Sequence, residues 1–181
     1  RIFSKAAAVF SGKNIIRTLD LGCGYFRYGL AQELFFRRFG RQQEHVAVDA
    51  VLNEDAQREA RALNYSRFVQ AHMDDFLEEN KPGAFQVISL HHPDLAKFFN
   101  SELEGLLNKI FESLSGEGIL IVTFYRFEKY REIISGVLNR TKFRRSFKIW
   151  RNPYFIGDDS LAGAIDSCYS FSHADFGIVV L

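Results

Sequence analysis

Thr18-Leu19-Asp20-Leu21-Gly22-Cys23-Gly24 is an apolar strand that runs directly into a Gly-x-Gly turn, and the residues beyond it repeat at helical spacing. That order of strand, glycine turn and helix makes room for a ligand. Glycine tolerates the sharp turn and lets the backbone approach closely, while the first turn of the helix presents N–H groups that have no partner within the helix. The stretch therefore points to a nucleotide-type ligand at the end of the first strand.

Working outward, short apolar runs alternate with longer amphipathic segments, the signature of a parallel sheet with helices on its faces. Arg17 to Leu21 is the first strand. Tyr28 to Phe39 is a helix whose inward stripe is Leu30, Leu34, Phe35 and Phe39, stopped by Gly40. His45 to Asp49 is a second strand, Glu54 to Leu63 a polar helix, and Arg67 to Gln70 a third strand. Pro82-Gly83 precedes the fourth strand, Phe85 to Leu90, which ends on His91-His92-Pro93-Asp94. A helix bearing Leu95, Phe98, Phe99, Leu103, Leu106, Leu107, Ile110 and Leu114 follows. The turn Ser115-Gly116-Glu117-Gly118 leads into the strand Ile119 to Tyr125. A helix from Phe127 to Leu138 and the strands Ser146 to Trp150 and Phe176 to Leu181 complete the chain, with a long connection between the last two.

Composition bounds the class. The 181 residues, 47% hydrophobic and 25% charged, suit one domain over residues 1–181, with residues 1–14 as a helical lead-in; the first residue is not Met, so an upstream segment is compatible with it. A net charge of +1 gives no global reason to expect nucleic acid or an anionic membrane. The two cysteines, Cys23 and Cys168, form neither a disulfide framework nor a zinc set, so a reducing, cytoplasmic setting is expected. No apolar run reaches the roughly 18 to 20 residues that span a bilayer.

These motifs, in this order, resemble the class I S-adenosylmethionine-dependent methyltransferases from about Arg17 onward. The resemblance implies a Rossmann-like, doubly wound, mostly parallel seven-stranded sheet in the order 3-2-1-4-5-7-6, with strand 7 antiparallel and helices on both faces. Leu19 to Gly24 corresponds to the family's first motif, with Asp20 toward the methionine amino group and Gly22, Cys23 and Gly24 under the cofactor. Asp49, about 25 residues after the glycines at the end of the second strand, corresponds to the acidic ribose ligand, with Ala50 beside it; a carboxylate there accepts hydrogen bonds from both vicinal hydroxyls. The third motif departs from the family: His72 stands where the adenine-binding acid is usual, so Asp74 is the choice for that contact and His72 the alternative, with Met73 against the ring. Phe26 replaces a small residue common in the glycine loop. The nucleobase-methylating tetrapeptide is absent from the fourth motif, and its look-alike Asn152-Pro153-Tyr154 lies elsewhere in the chain.

Among candidates for chemistry, His91 at the fourth strand end is the choice for a general base, because imidazole titrates near neutrality. No His, Cys or acidic spacing reads as a metal site, so no metal is expected. Cys23 is read as a small buried side chain lacking an activating base. Tyr25, Phe26, Tyr28, Phe124, Tyr125, Phe127 and Tyr130 are placed to wall an acceptor. Lys142 to Arg151 alternates cations with aromatics, which suits either a charged edge strand or an RNA-facing surface.

The functional expectation is methyl transfer from S-adenosylmethionine by in-line displacement, to a small molecule first and RNA second. Two rivals stand beside it: a non-catalytic adenosyl-ligand-binding or interaction domain of the same fold, and an NAD-dependent oxidoreductase. Against the last, Gly22-Cys23-Gly24-Tyr25-Phe26-Arg27 has no glycine at the sixth position of the dinucleotide fingerprint.

Overall fold

The computed structural model describes residues 10, 12–24, 27–51, 53–63, 66–91, 100–124, 127–141, 147–151 and 176–180. Seven strands, β1 (Ile15–Leu21), β2 (Gln42–Asp49), β3 (Ser66–Gln70), β4 (Phe85–His91), β5 (Leu114–Phe124), β6 (Phe147–Arg151) and β7 (Phe176–Val180), form one sheet in the order β3-β2-β1-β4-β5-β7-β6. The first five are parallel, whereas β7 runs antiparallel to both β5 and β6. Five helices are described: α1 (Arg27–Arg37), α2 (Glu54–Ala62), α3 (Met73–Glu79), α4 (Asn100–Ser113) and α5 (Phe127–Arg140). None of the described helices is long and apolar enough to cross a membrane.

Alternation along the strands sorts side chains onto two faces. Leu19, Leu21, Val48, Ile88, Leu90, Leu120 and Val122 pack with Phe76 and Leu77 of α3, Leu106 and Ile110 of α4, and Ile134 and Val137 of α5 in the main core. Complete burial of Leu106 or Ile110 is worth roughly 2 kcal/mol each. On the other face Ile16, Val87 and Ile119 pack with Phe10 and with Phe36 of α1, while Ala47 and Cys23 meet Ala56 and Ala60 of α2. The small alanines let α2 lie close to β2. Asn53 caps α2 by accepting from the Ala56 N–H at 3.0 Å, and Glu54 and Asp55 favour its N-terminal dipole.

Two local expectations are corrected. Leu34 and Phe39 do not face inward: they are 55% and 45% exposed, and Glu33 and Phe36 are buried instead. The reason is the sheet beneath α1, which carries Thr18, Gln43, His45 and Ser89, so the helix turns Gln32 toward polar groups that would otherwise be desolvated without partners. Residues 115–118 are not a turn outside the sheet. Phe85 pairs with Leu114 and Val87 with Ile119, so the segment is an irregularity inside the β4–β5 ladder and Leu114 belongs to β5.

Candidate functional site

The glycine turn is anchored to the end of β2. Gly22 and Cys23 donate their N–H groups to the Val48 carbonyl at 2.8 and 3.2 Å, and Gly24 donates to Asp49 Oδ2 at 2.9 Å. Asp49 Oδ1 accepts from the Val51 N–H at 2.9 Å, a two-residue Asx-type contact that fixes the carboxylate. Each oxygen thus uses one N–H and keeps acceptor capacity, since an ionised carboxylate has about four lone-pair sites. The side chain is half-buried, and Ala50 beside it is exposed. Gly22 and Gly24 have φ of +67° and +52°, the left-handed region where a side chain is strained, and a Cβ built on either meets nothing within 4 Å among the described residues. Among the described residues the turn therefore borders open space at the carboxyl end of the sheet.

Asp20 sits one strand inward, fully buried. Ser89 Oγ donates to its Oδ1 at 3.1 Å, and Gln32 Nε2 of α1 lies 3.3 Å from that hydroxyl. Gln32 Oε1 accepts from Gln43 Nε2 at 3.2 Å, Gln43 also donates to Thr18 Oγ1 at 2.7 Å, and Thr18 Oγ1 lies 2.6 Å from His45 Nδ1. A polar relay thus runs under α1 from Asp20 to His45. Burial pushes the Asp20 carboxyl up to about 7; the Ser89 hydroxyl opposes this and the Asp49 charge adds to it. Burial lowers His45 to about 4, which keeps the imidazole neutral.

Cys23 is buried, and its thiol is held well above its ordinary range, first by burial and then by the Asp20 and Asp49 charges. It is protonated at neutral pH and unsuited to nucleophilic attack. Ser89 and Gln32 were not singled out by their pattern; a serine in the middle of the apolar run Val87-Ile88-Ser89-Leu90 was the available signal.

The third-motif residues diverge. Met73 packs against the main core, His72 is exposed and makes no side-chain cap on α3, and Asp74 Oδ1 accepts from Lys109 of α4 at 2.8 Å. The Asp74 carboxylate is therefore drawn toward α4, where Lys109 also meets Glu78 at 2.7 Å. His91 ends β4 opposite Thr123; its side chain, and residues 25–26, 92–99, 142–146 and 152–175, lie outside the described residues. With them go the expectations placed on Tyr25, Phe26, Tyr125 and Cys168. Among the described residues no group of His, Cys, Asp or Glu gathers as a metal-binding set.

A five-stranded parallel core with helices on both faces, its ligand-type residues at the carboxyl ends of β1 and β2, matches solved structures along nearly the whole chain. It aligns with the N-methyltransferase NodS from Bradyrhizobium japonicum WM9 at a TM-score of 0.58 and 10% identity, over 98% of this chain and 91% of that one. This is the fold of the class I methyltransferases. The same class I fold is matched in the precorrin-6y C5,15-methyltransferase from Geobacter metallireducens GS-15, with a TM-score of 0.57 and 8% identity over 99% and 86% of the two chains. The YcgJ protein from Bacillus subtilis aligns at a TM-score of 0.55 and 12% identity over 99% and 95%. No protein-family model matches the sequence, and no curated protein matches it by sequence. One class I scaffold thus carries both an N- and a C-methyltransferase, so the fold leaves the acceptor open.

Proposed function

We propose that the chain is an S-adenosylmethionine-dependent methyltransferase, built as one domain over residues 1–181. The observation that carries this reading is the use of the turn's N–H groups. Among the described residues those of Gly22, Cys23 and Gly24 are all spent on the end of β2, and the carboxylates of Asp49 and Asp20 lie close enough for their charges to act on Cys23 of the turn. A dinucleotide site needs such N–H groups for its pyrophosphate and is ill served by two acids. A ligand with a sulfonium, an ammonium and a diol, and no phosphate, suits the same arrangement. The oxidoreductase reading loses on this ground.

Asp49 is assigned to the ribose hydroxyls, with Ala50 beside it, and Gly22, Cys23 and Gly24 form the floor under the cofactor. Asp20 is assigned to the cationic methionine end and Met73 to the adenine plane. Between His72 and Asp74 for the adenine amino group, the ion pair of Asp74 with Lys109 favours His72. When bound, S-adenosylmethionine supplies an already electrophilic methyl group, so the protein's task is to align the acceptor and remove a proton where the acceptor carries one. His91, at the carboxyl end of β4, is assigned that proton. A small-molecule acceptor is the first choice; RNA reached through residues 142–151, which include the edge strand β6, is the second.

Isothermal titration with S-adenosylhomocysteine tests the binding reading. Saturable heat that disappears in Asp49→Ala is expected, and none at millimolar ligand would end it. Transfer of labelled methyl from S-adenosylmethionine into a fractionated cell extract then separates an enzyme from a binding domain, because the latter binds without product.

A further inference from the structure

Asp20 and Ser89 are register partners in β1 and β4, and alternation puts both on the sheet face that carries Thr18, Gln43 and His45 under α1. The proton on Ser89 Oγ has two acceptors in reach, Asp20 Oδ1 at 3.1 Å and the Leu19 carbonyl at 3.3 Å. The choice between them is set from α1. Gln43 Nε2 donates to Gln32 Oε1 at 3.2 Å, which holds the Gln32 amide with its Nε2 toward Ser89, 3.3 Å away. That nitrogen can only donate, so the serine oxygen accepts and its own proton points onward. A hydrogen bond to an ionised carboxylate is roughly twice as strong as one to a neutral carbonyl, so the proton goes to Asp20 whenever that carboxyl is charged.

Burial favours the neutral form of Asp20; the Ser89 hydroxyl works against burial and the Asp49 charge works with it. The other titratable groups described on this face are His45 of β2, which is neutral, Cys23 of the turn, which is protonated, and Glu33 of α1, which is engaged by Arg37. From α2 come the small Ala56 and Ala60, and the side chain of His91 on β4 lies outside the described residues. Support for the anion thus comes from Ser89. Asp20 has no exposed surface, so its charge acts on a ligand through space, as it already acts on the Cys23 thiol.

We infer that Ser89, aimed by Gln32, is a positioning residue that holds the buried Asp20 as an anion beside the glycine turn and so makes the cleft prefer the sulfonium form of the cofactor over its thioether product. The role rests on the methyltransferase reading. The two ligands share their nucleoside and amino-acid parts and differ by a positive charge at sulfur, so a nearby anion separates them and a neutral carboxyl does not. Ser89 therefore acts on the ratio of the two affinities.

Isothermal titration of the full chain with S-adenosylmethionine and with S-adenosylhomocysteine, at intervals from about pH 5 to 9, tests it. In the wild type the ratio of the two affinities is expected to rise on the order of tenfold, with a midpoint at about 7. Ser89→Ala should move that midpoint up by about one pH unit, Gln32→Leu should move it the same way by less, and Ser89→Thr, which keeps the hydroxyl, should leave it in place. In Asp20→Asn the ratio should be flat, and adding Ser89→Ala should change nothing further. Ionisation of the ligands is common to all variants and cancels in the comparison. Urea unfolding over the same range, which reads Asp20 without a ligand, should show the same displacement. A serine that only fills its place would lower stability without moving either midpoint. An unmoved midpoint in both Ser89→Ala and Gln32→Leu, or a flat ratio in a wild type that binds both ligands, would overturn the inference alone. Absence of binding by the wild type would end the methyltransferase reading and the inference with it. Should Ser89→Ala not fold, the half-buried Gln32 carries the same test.

Discussion

The Gly24 N–H donates to Asp49 Oδ2 at 2.9 Å across 25 residues of chain, so the turn after β1 and the carboxylate at the end of β2 are one structural unit. This bond orients the acid and restrains the glycine turn together.

Asp49→Ala should therefore weaken both functions of that unit. Removing a carboxylate that accepts two backbone N–H groups is expected to cost about 1 to 3 kcal/mol of stability. S-adenosylhomocysteine affinity should fall by about a hundredfold, the equivalent of two lost hydrogen bonds to a charged acceptor. Chemical denaturation and titration of the same preparation read the two effects separately. Unchanged affinity would remove Asp49 from the site.

Gly24→Ala probes the turn without a clash. Because φ is +52° and an added Cβ meets nothing within 4 Å among the described residues, the expected stability loss is only the conformational cost of about 1 kcal/mol. A larger drop in adenosyl-ligand affinity than in stability would mean that the open space beside the turn is where the ligand sits. Equal effects would make the turn purely structural.

Asp20 and His45 make opposite contributions to stability over one pH window. Folding raises Asp20 from 3.8 to about 7, so the folded state holds a proton the unfolded chain has lost, and stability falls as pH rises through that range. Folding lowers His45 from 6.5 to about 4, so the unfolded chain holds the extra proton: this contribution is complete above 6.5 and is lost as pH falls toward 4. Relative to the wild type, Asp20→Asn should gain stability as pH rises across the shared window, by up to about 1.4 kcal/mol per unit, and His45→Gln should lose it. Urea unfolding at intervals from acid to neutral pH measures both, and parallel profiles would contradict the assignment. Ionised Asp20 also favours a cationic ligand, so S-adenosylmethionine affinity should rise with pH through about 7 in the wild type and stay flat in Asp20→Asn.

The Asp74–Lys109 contact joins α3 to α4 on a partly exposed surface, where an ion pair is worth at most about 1 kcal/mol. Lys109→Met should change the denaturation midpoint slightly, and Asp74→Ala should leave S-adenosylhomocysteine binding within about twofold of the wild type. A tenfold loss in Asp74→Ala would return that residue to the adenine contact.

The rotation of α1 can be read by paired truncations. Phe36→Ala opens a cavity in the core against Phe10 and Ile16 and should cost about 3 to 5 kcal/mol. Leu34→Ser, at an exposed position, should stay within about 0.5 kcal/mol of neutral. Thermal or urea melts suffice. The reverse order would restore the stripe read from spacing.

The sequence by itself determined the five parallel strands and the glycine turn, together with the acid that follows the second strand. Those features rest on local chemistry: contiguous apolar residues demand burial on both faces, and Gly22 and Gly24 permit a turn that other residues resist. Only the tertiary structure decided which side of α1 faces the sheet. Leu30, Leu34, Phe35 and Phe39 made the more apolar stripe, but the surface beneath was polar, and Gln32 turned inward to meet Gln43 and Ser89, with Glu33 buried beside it. The commitment of Asp74 to Lys109, 35 residues away, was equally hidden. Hydrogen bonds and charges act through space, so a polar residue's partner is fixed by how the elements pack, whereas strand and turn propensities are already present in neighbouring residues.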